Sequence, residues 1–169
     1  ASGGQMAGTS GFQDLGIFTK VKVIDISSFQ AFTAAGISFP ISDYLSDYMP
    51  LNLGLGTTEI SLRAILKYEY HSKIYFRGSA AYLHRTTTEA ERDYYYQDGS
   101  IYSTTMDVPD VLSFDAALGC WLWDHDVQLE ALVGTQIGQS GDDIRRQNMP
   151  QPTNKMDMKN VSGYIRYFP

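Results

Sequence analysis

Disulfides are the first thing this sequence cannot have. Cys120 is its only cysteine, so no internal covalent staple supports the fold. Long hydrophobic runs are missing too: the longest, residues 116–123, covers eight residues. A membrane-crossing helix needs roughly 20, so none is expected. Charge is sparse at 19% of residues, and its balance is negative at −6. Phosphate backbones need a basic face, so nucleic acid is excluded as a partner class. Ala1 to Ser10 carry neither a basic region nor an apolar core and do not read as a secretory signal; a mature or truncated chain begins in this way. There is no phosphate-cradling glycine loop and no spaced Ser, His and Asp set. The chain therefore reads as a non-enzyme, with no cofactor expected.

What is abundant is tyrosine, with 12 copies beside 8 Phe and 2 Trp. Such side chains suit a pleated surface, and 169 residues suffice for one domain. Period-two alternation predicts seven strands, over 12–24, 27–39, 57–70, 73–85, 110–123, 126–138 and 160–168. In the third, Ile60, Leu62, Ala64, Leu66, Tyr68 and Tyr70 oppose Glu59, Ser61, Arg63, Ile65, Lys67 and Glu69. In the first, Leu15, Ile17, Thr19, Val21 and Val23 oppose Asp14, Lys20 and Lys22. The same side is free of charge in all seven strands. The other side carries Asp14, Lys20, Glu59, Arg63, Lys67, Arg77, Asp115, Glu130 and Arg166.

A soluble barrel would turn the uncharged side inward, and a membrane barrel would turn it toward lipid. Loop lengths favour the second. Short gaps at Asp25-Ile26, His71-Ser72 and Asp124-His125 alternate with long ones over about 40–56, 86–109 and 139–159. Tight periplasmic turns and extended outer loops give that alternation in outer-membrane barrels. Transmembrane strands need only about 9–11 residues each. The expectation is all-β: an antiparallel transmembrane β-barrel in a bacterial, Gram-negative outer membrane, with 1–169 as one domain. Aromatics on the uncharged side gather near both ends, as lipid headgroups require. Trp121 and Trp123 point by parity to the lumen; a bulge near Gly119 would turn them outward. Seven is an odd count, whereas single-chain bacterial barrels are even. The segment is thus expected to be part of a larger barrel. Gln97-Asp98-Gly99-Ser100 is a tight-turn sequence, predicting a hairpin over 93–106 in the second long loop.

Gly11-Phe12-Gln13-Asp14-Leu15, residues Ala34 to Tyr44, and Leu53-Gly54-Leu55-Gly56-Thr57 carry a resemblance. Over Gly11 to about Asp143 the chain resembles a family of outer-membrane transporters of the phenol-degradation meta-pathway type. The resemblance implies a barrel of about a dozen strands that takes up small hydrophobic or aromatic compounds. Pro50 and the Tyr-rich segment at 94–102 depart from it. It brings no set of binding residues.

His71, His84 and His125 fall at different ends of their strands, so a shared metal site is not expected. Asp124-His125-Asp126 reads as a solvated hairpin tip. Gly141-Asp142-Asp143 is a loop turn, with a loose calcium site as the less favoured reading. The lumen-facing charges remain as candidates, either bracing a water-filled interior or setting the charge preference of a pore. The expected function is passive passage of small solutes, with outer-membrane lipids around the barrel. Two alternatives stay open: a non-conducting structural barrel whose outer loops bind a protein partner, and a soluble ligand-binding barrel.

Overall fold

The alternation in the sequence becomes one continuous wall. The computed structural model describes residues 12–42, 44, 46, 54–89, 95–97, 101–103, 105–141 and 152–168. Among them are β1 (Asp14–Ile26), β2 (Phe29–Pro40), β3 (Glu59–Tyr70), β4 (Ile74–Arg85), β5 (Thr87–Glu89) and β6 (Tyr95–Gln97). These are followed by β7 (Ile101–Ser103), β8 (Thr105–Asp107), β9 (Val111–Leu122), β10 (Val127–Gly138) and β11 (Met158–Tyr167). No helix occurs among the described residues. The seven long strands form a single sheet in the order β1-β2-β3-β4-β9-β10-β11. Each is antiparallel to its neighbour. All seven lie within two residues of the expected bounds.

The sheet is open and does not close into a barrel among the described residues. β1 and β11 are its edges, and neither has a second partner strand among the described residues. The reason is topological. In a run of seven antiparallel strands the first and last point the same way, so they cannot close on each other with antiparallel bonding.

Two of the short connections are closed by a tight turn with positive φ at both of its central residues. Lys73 N donates to Tyr70 O at 3.1 Å, with His71 and Ser72 at φ 50° and 53°. Asp126 N donates to Trp123 O at 3.0 Å, with Asp124 and His125 at φ 51° and 78°. Such turns match the twist of the strands they join. The first turn is Ser27-Ser28 rather than Asp25-Ile26. A register shift between Lys22 and Ile24 leaves Val23 without a partner residue and carries Ile24 and Ile26 onto the uncharged face. No bulge occurs near Gly119, where the register of β9 is unbroken against both neighbours. Trp121 therefore stays on the charged face, and Trp123 leaves the sheet in the turn, 73% exposed.

The second long connection carries two small ribbons, β5 with β8 and β6 with β7. The arms of the expected hairpin are present; its tip, 98–100, lies outside the described residues. At this loop end Met106, Val108 and Val111 are buried and form the small apolar floor of the connections.

Among the described residues, no apolar core packs against the uncharged face of the sheet. Leu62, Leu118 and Val161 are 62%, 60% and 81% exposed, and most of the other large uncharged-face residues are exposed too, to a lesser degree. The most sheltered residues of the sheet include Tyr75 at 2%, Ala117 at 3% and Glu130 at 6%, all on the other side, while Ala31 and Val127 are the covered exceptions on the uncharged side. In β3 exposure alternates residue by residue along the whole strand, with the charged side always the more covered. The wall is inverted relative to a water-soluble sheet.

Candidate functional site

Strand parity places Asp14, Lys20, Glu59, Arg63, Lys67, Arg77, Asp115, Glu130 and Arg166 on one face, and the register joins most of them across strands. Near the loop end, Arg85 Nε meets Glu59 Oε2 at 2.9 Å. In the middle, Arg63 Nη1 meets Asp115 Oδ2 at 2.8 Å, reaching across β4. Ser79, which lies between them on β4, receives a hydrogen bond from Arg63 and donates one to Asp115, both at 3.0 Å. Toward the turn end, Lys67 Nζ pairs with Glu69 Oε2 at 3.0 Å.

Glu130 is the most enclosed of these charges. Its Oε2 accepts from the Tyr75 hydroxyl at 2.7 Å. Its Oε1 accepts from Arg77 Nη2 at 3.0 Å, and Arg166 Nη2 stands 3.7 Å from the same oxygen. Gln128 donates through Nε2 to the Tyr75 hydroxyl at 2.6 Å and accepts from Arg166 Nη1 at 2.9 Å. A carboxylate with a 3% exposed side chain is thus fully solvated by protein. Trp121 closes the turn-end side of this knot, its ring 6.4 Å from Tyr75, 5.4 Å from His125 and 5.7 Å from Phe168.

Glycines make the cross-strand reach possible. Gly119 lies between Tyr75 and Glu130 in the register, and the tyrosine ring crosses over it. A Cβ on Gly134 would meet Asn160 Oδ1 at 2.3 Å and Asp115 Oδ1 at 2.7 Å, so these two side chains lie over bare backbone. Phe18 covers Gly16 and Gly36 in the same way. Side chains on this face lie down along the wall. A hollow of about 170 Å³ remains beside Phe18, bounded by Ala34, Glu59, Ser61, Arg63 and Leu83.

Besides Lys67, whose partner is on its own strand, two expected residues stand apart from the cross-strand ion pairs. Lys20 sits over the Phe32 ring at 4.4 Å. Asp14 accepts from the Tyr44 hydroxyl at 2.7 Å, and that oxygen accepts from Gly56 N at 3.1 Å. Burial, and then the bond to Asp14, push the Tyr44 phenol up to about 12.

The histidines are dispersed. His71 packs against Tyr70, His125 Nε2 meets Ser72 O at 2.7 Å, and His84 Nδ1 pairs with Asp110 at 3.1 Å. Tyr82 and Arg85 N also donate to Asp110. Burial opposes ionisation of Asp110, but the bonds from Tyr82, Arg85 N–H and His84 outweigh it and hold the carboxyl below its usual range. Asp142 and Asp143 of the Gly141-Asp142-Asp143 turn lie outside the described residues.

Sequence reasoning did not pick out Tyr75, Ser79, Arg85, Gln128 or Gly134, and it singled out Gly119 only as the place of a bulge. Tyr75 could have been found, since its odd number in β4 assigns it to the charged face. The two glycines carry no such signal until the register is known. Compared with known proteins, the chain matches no family model and no curated relative.

Proposed function

We propose that this wall is part of a transmembrane β-barrel in a bacterial outer membrane, with its uncharged face against lipid and its charged face toward a polar lumen. The observation that supports this is the inverted burial pattern: large aliphatic and aromatic side chains outward, a sheltered ion-pair network on the other side. From strand spacing and rise, the uncharged face covers on the order of 1,000 Å², while the largest patch of a typical soluble monomer is about 300–600 Å². Leaving that area in water costs roughly 25 kcal/mol at 25 cal/mol per Å². Hydrocarbon removes that cost.

Open edges at β1 and β11 would each leave a row of unpaired amides in lipid, so the reading includes further strands that complete the wall. The function proposed is passive passage of small solutes along the charged face, without covalent chemistry. Small hydrophobic or aromatic solutes are the class that the family resemblance suggests. Side chains laid flat over glycines favour a free lumen.

One observation favours a second reading. At the turn end of the charged face, the rings of Trp121, Tyr75 and Phe168 cluster, with Tyr75 buried among them. A barrel filled in this way would be a closed structural element whose outer loops hold a protein partner.

Cys120 provides the test of membrane insertion, being the sole cysteine and lying on the uncharged face. In liposomes it should react with an apolar maleimide and resist a charged thiosulfonate; equal reaction with both rejects lipid contact. Planar-bilayer recording then separates the two readings. Discrete conductance steps support passage, and intact insertion without steps supports the closed structural barrel.

A further inference from the structure

We infer that Arg77 and Arg166, on either side of Glu130, form a binding station for a small oxyanion. The inference rests on the proposed lumen only for the station's role in passage; the binding chemistry stands on the geometry alone. Both guanidinium Nη2 atoms lie within 3.7 Å of one carboxylate oxygen, Glu130 Oε1. They are therefore close enough for one ligand to bridge. One carboxylate between two guanidiniums leaves a local charge of +1, and the surrounding groups do not cancel it. Lys67 is already paired with Glu69, while Tyr75 and Gln128 are neutral.

The donors are only partly used. A guanidinium has five N–H groups in a planar fork. Arg77 donates to Glu130, and Arg166 donates to Gln128 with Glu130 nearby. Their side chains are 38% and 44% exposed, whereas that of Glu130 is 3% exposed. The carboxylate is thus the buried anchor and the two forks present their remaining donors to the open side. Forks of this geometry match carboxylate and phosphate oxygens in pairs. Gln128 fixes Arg166 from behind, and Arg166 also stands over the Tyr164 ring at 5.0 Å, which limits its freedom before a ligand arrives. A station of this kind holds an anion by two charge-assisted contacts while Glu130 keeps the affinity low. Weak holding is what passage requires, since a solute must also leave.

Trp121 provides the reporter, because its ring is 6.4 Å from that of Tyr75. The full-length protein, refolded in detergent micelles with Trp123→Phe to silence the other indole, is titrated with inorganic phosphate and, separately, with acetate. A saturable change in Trp121 emission is expected. Arg166→Gln should weaken it by about tenfold or more, the scale of a lost charge-assisted contact. Arg166→Lys should recover part of the loss. Glu130→Gln should bind more tightly than wild type, because the competing carboxylate is gone. That direction separates the station from a merely structural ion pair, in which any of these changes would only loosen the knot. If Glu130→Gln does not fold, the order Arg166, then Lys, then Gln at that position decides the matter. An unsaturable response, or equal affinity in all foldable variants, overturns the inference. Saturation by phosphate alone assigns the station to phosphate-type anions, and saturation by both ligands assigns it to oxyanions in general. Failure of the protein to conduct in bilayers rejects the lumen reading and leaves the binding result as it stands.

Discussion

The ring of Tyr75 lies across Gly119, where a Cβ would come within 2.2 Å of Tyr75 Cζ. Tyr75 reaches from β4 to β10 only because the residue on β9 between them has no side chain. Gly119→Ala should therefore force the ring off the wall and break the bond to Glu130. The expected cost is about 1–3 kcal/mol from overpacking. Tyr75→Phe removes only the hydroxyl and should cost about 1–3 kcal/mol by leaving the enclosed carboxylate short of a donor. Combining the two changes should cost less than their sum, because each disrupts the same contact. Urea midpoints in micelles test this; strict additivity would separate the glycine from the Tyr75–Glu130 contact.

The uncharged face supplies a second prediction, chosen so that lipid and water give different answers. Leu62 lies within β3, three residues in from its loop end, opposite Ala35 and Tyr82, and is 62% exposed. In a bilayer, Leu62→Lys should cost up to about 2–4 kcal/mol, the scale for a lysine at the membrane midplane. On a water-facing sheet the same change at so exposed a position should stay within about 0.5 kcal/mol. Reversible unfolding from liposomes measures the difference. A near-zero cost in lipid would place this face elsewhere.

The pattern of strands was legible because every long strand but β1 keeps a strict period of two, and a register slip would exchange the charged and uncharged sides. What was not legible follows from the same physics. Val23 looked like the last uncharged-face residue of β1, but the bulge hands that role to Ile24 and Ile26, and parity cannot reveal an inserted residue. The charged residues were identified as a set, yet their partners depended on register. Arg63 finds Asp115 two strands away, and Arg77 finds Glu130 on the far side of β9. Arg85 was passed over because it falls at the strand end, although it closes the Glu59 pair. A barrel was expected from loop rhythm and strand chemistry, with these strands as one segment of it, and neither signal says where the wall closes.

Asp110 makes stability depend on pH at the loop end. It stands just before β9, and its carboxyl lies below the ordinary value of 3.8. A depressed carboxylate pKa means that the folded state holds the proton less tightly than the unfolded chain does. The contribution is therefore fully present above the unfolded value, at pH 5 and higher. It is lost as pH falls below about 4 and through the folded value. Asp110→Asn should flatten this part of the stability profile, while Tyr82→Phe should remove only part of it. Urea midpoints between pH 6 and pH 2 provide the measurement, and an unchanged slope in Asp110→Asn would assign the acid sensitivity to other groups.

The Arg63–Asp115 pair tests whether the charged face acts as one brace across the wall. The contact is 2.8 Å long but only half sheltered, with side chains 37% and 27% exposed, so its Coulomb energy is screened. Ser79 raises its value by holding both partners, one on each side. Without that hydroxyl, an exposed pair of this kind contributes about 0.2–1 kcal/mol. A double-mutant cycle with Arg63→Gln and Asp115→Asn should give a coupling of about 0.5–1.5 kcal/mol in wild type, and a smaller one in a Ser79→Ala background. The asymmetry of the single changes carries further information. Asp115 also lies over Gly134 beside Asn160, so Asp115→Asn disturbs a second contact on β10, whereas Arg63→Gln does not. The Asp115 change should therefore cost more than the Arg63 change. Equal costs with no coupling would show that the charges on this face act independently and that the wall is held by its backbone ladder alone.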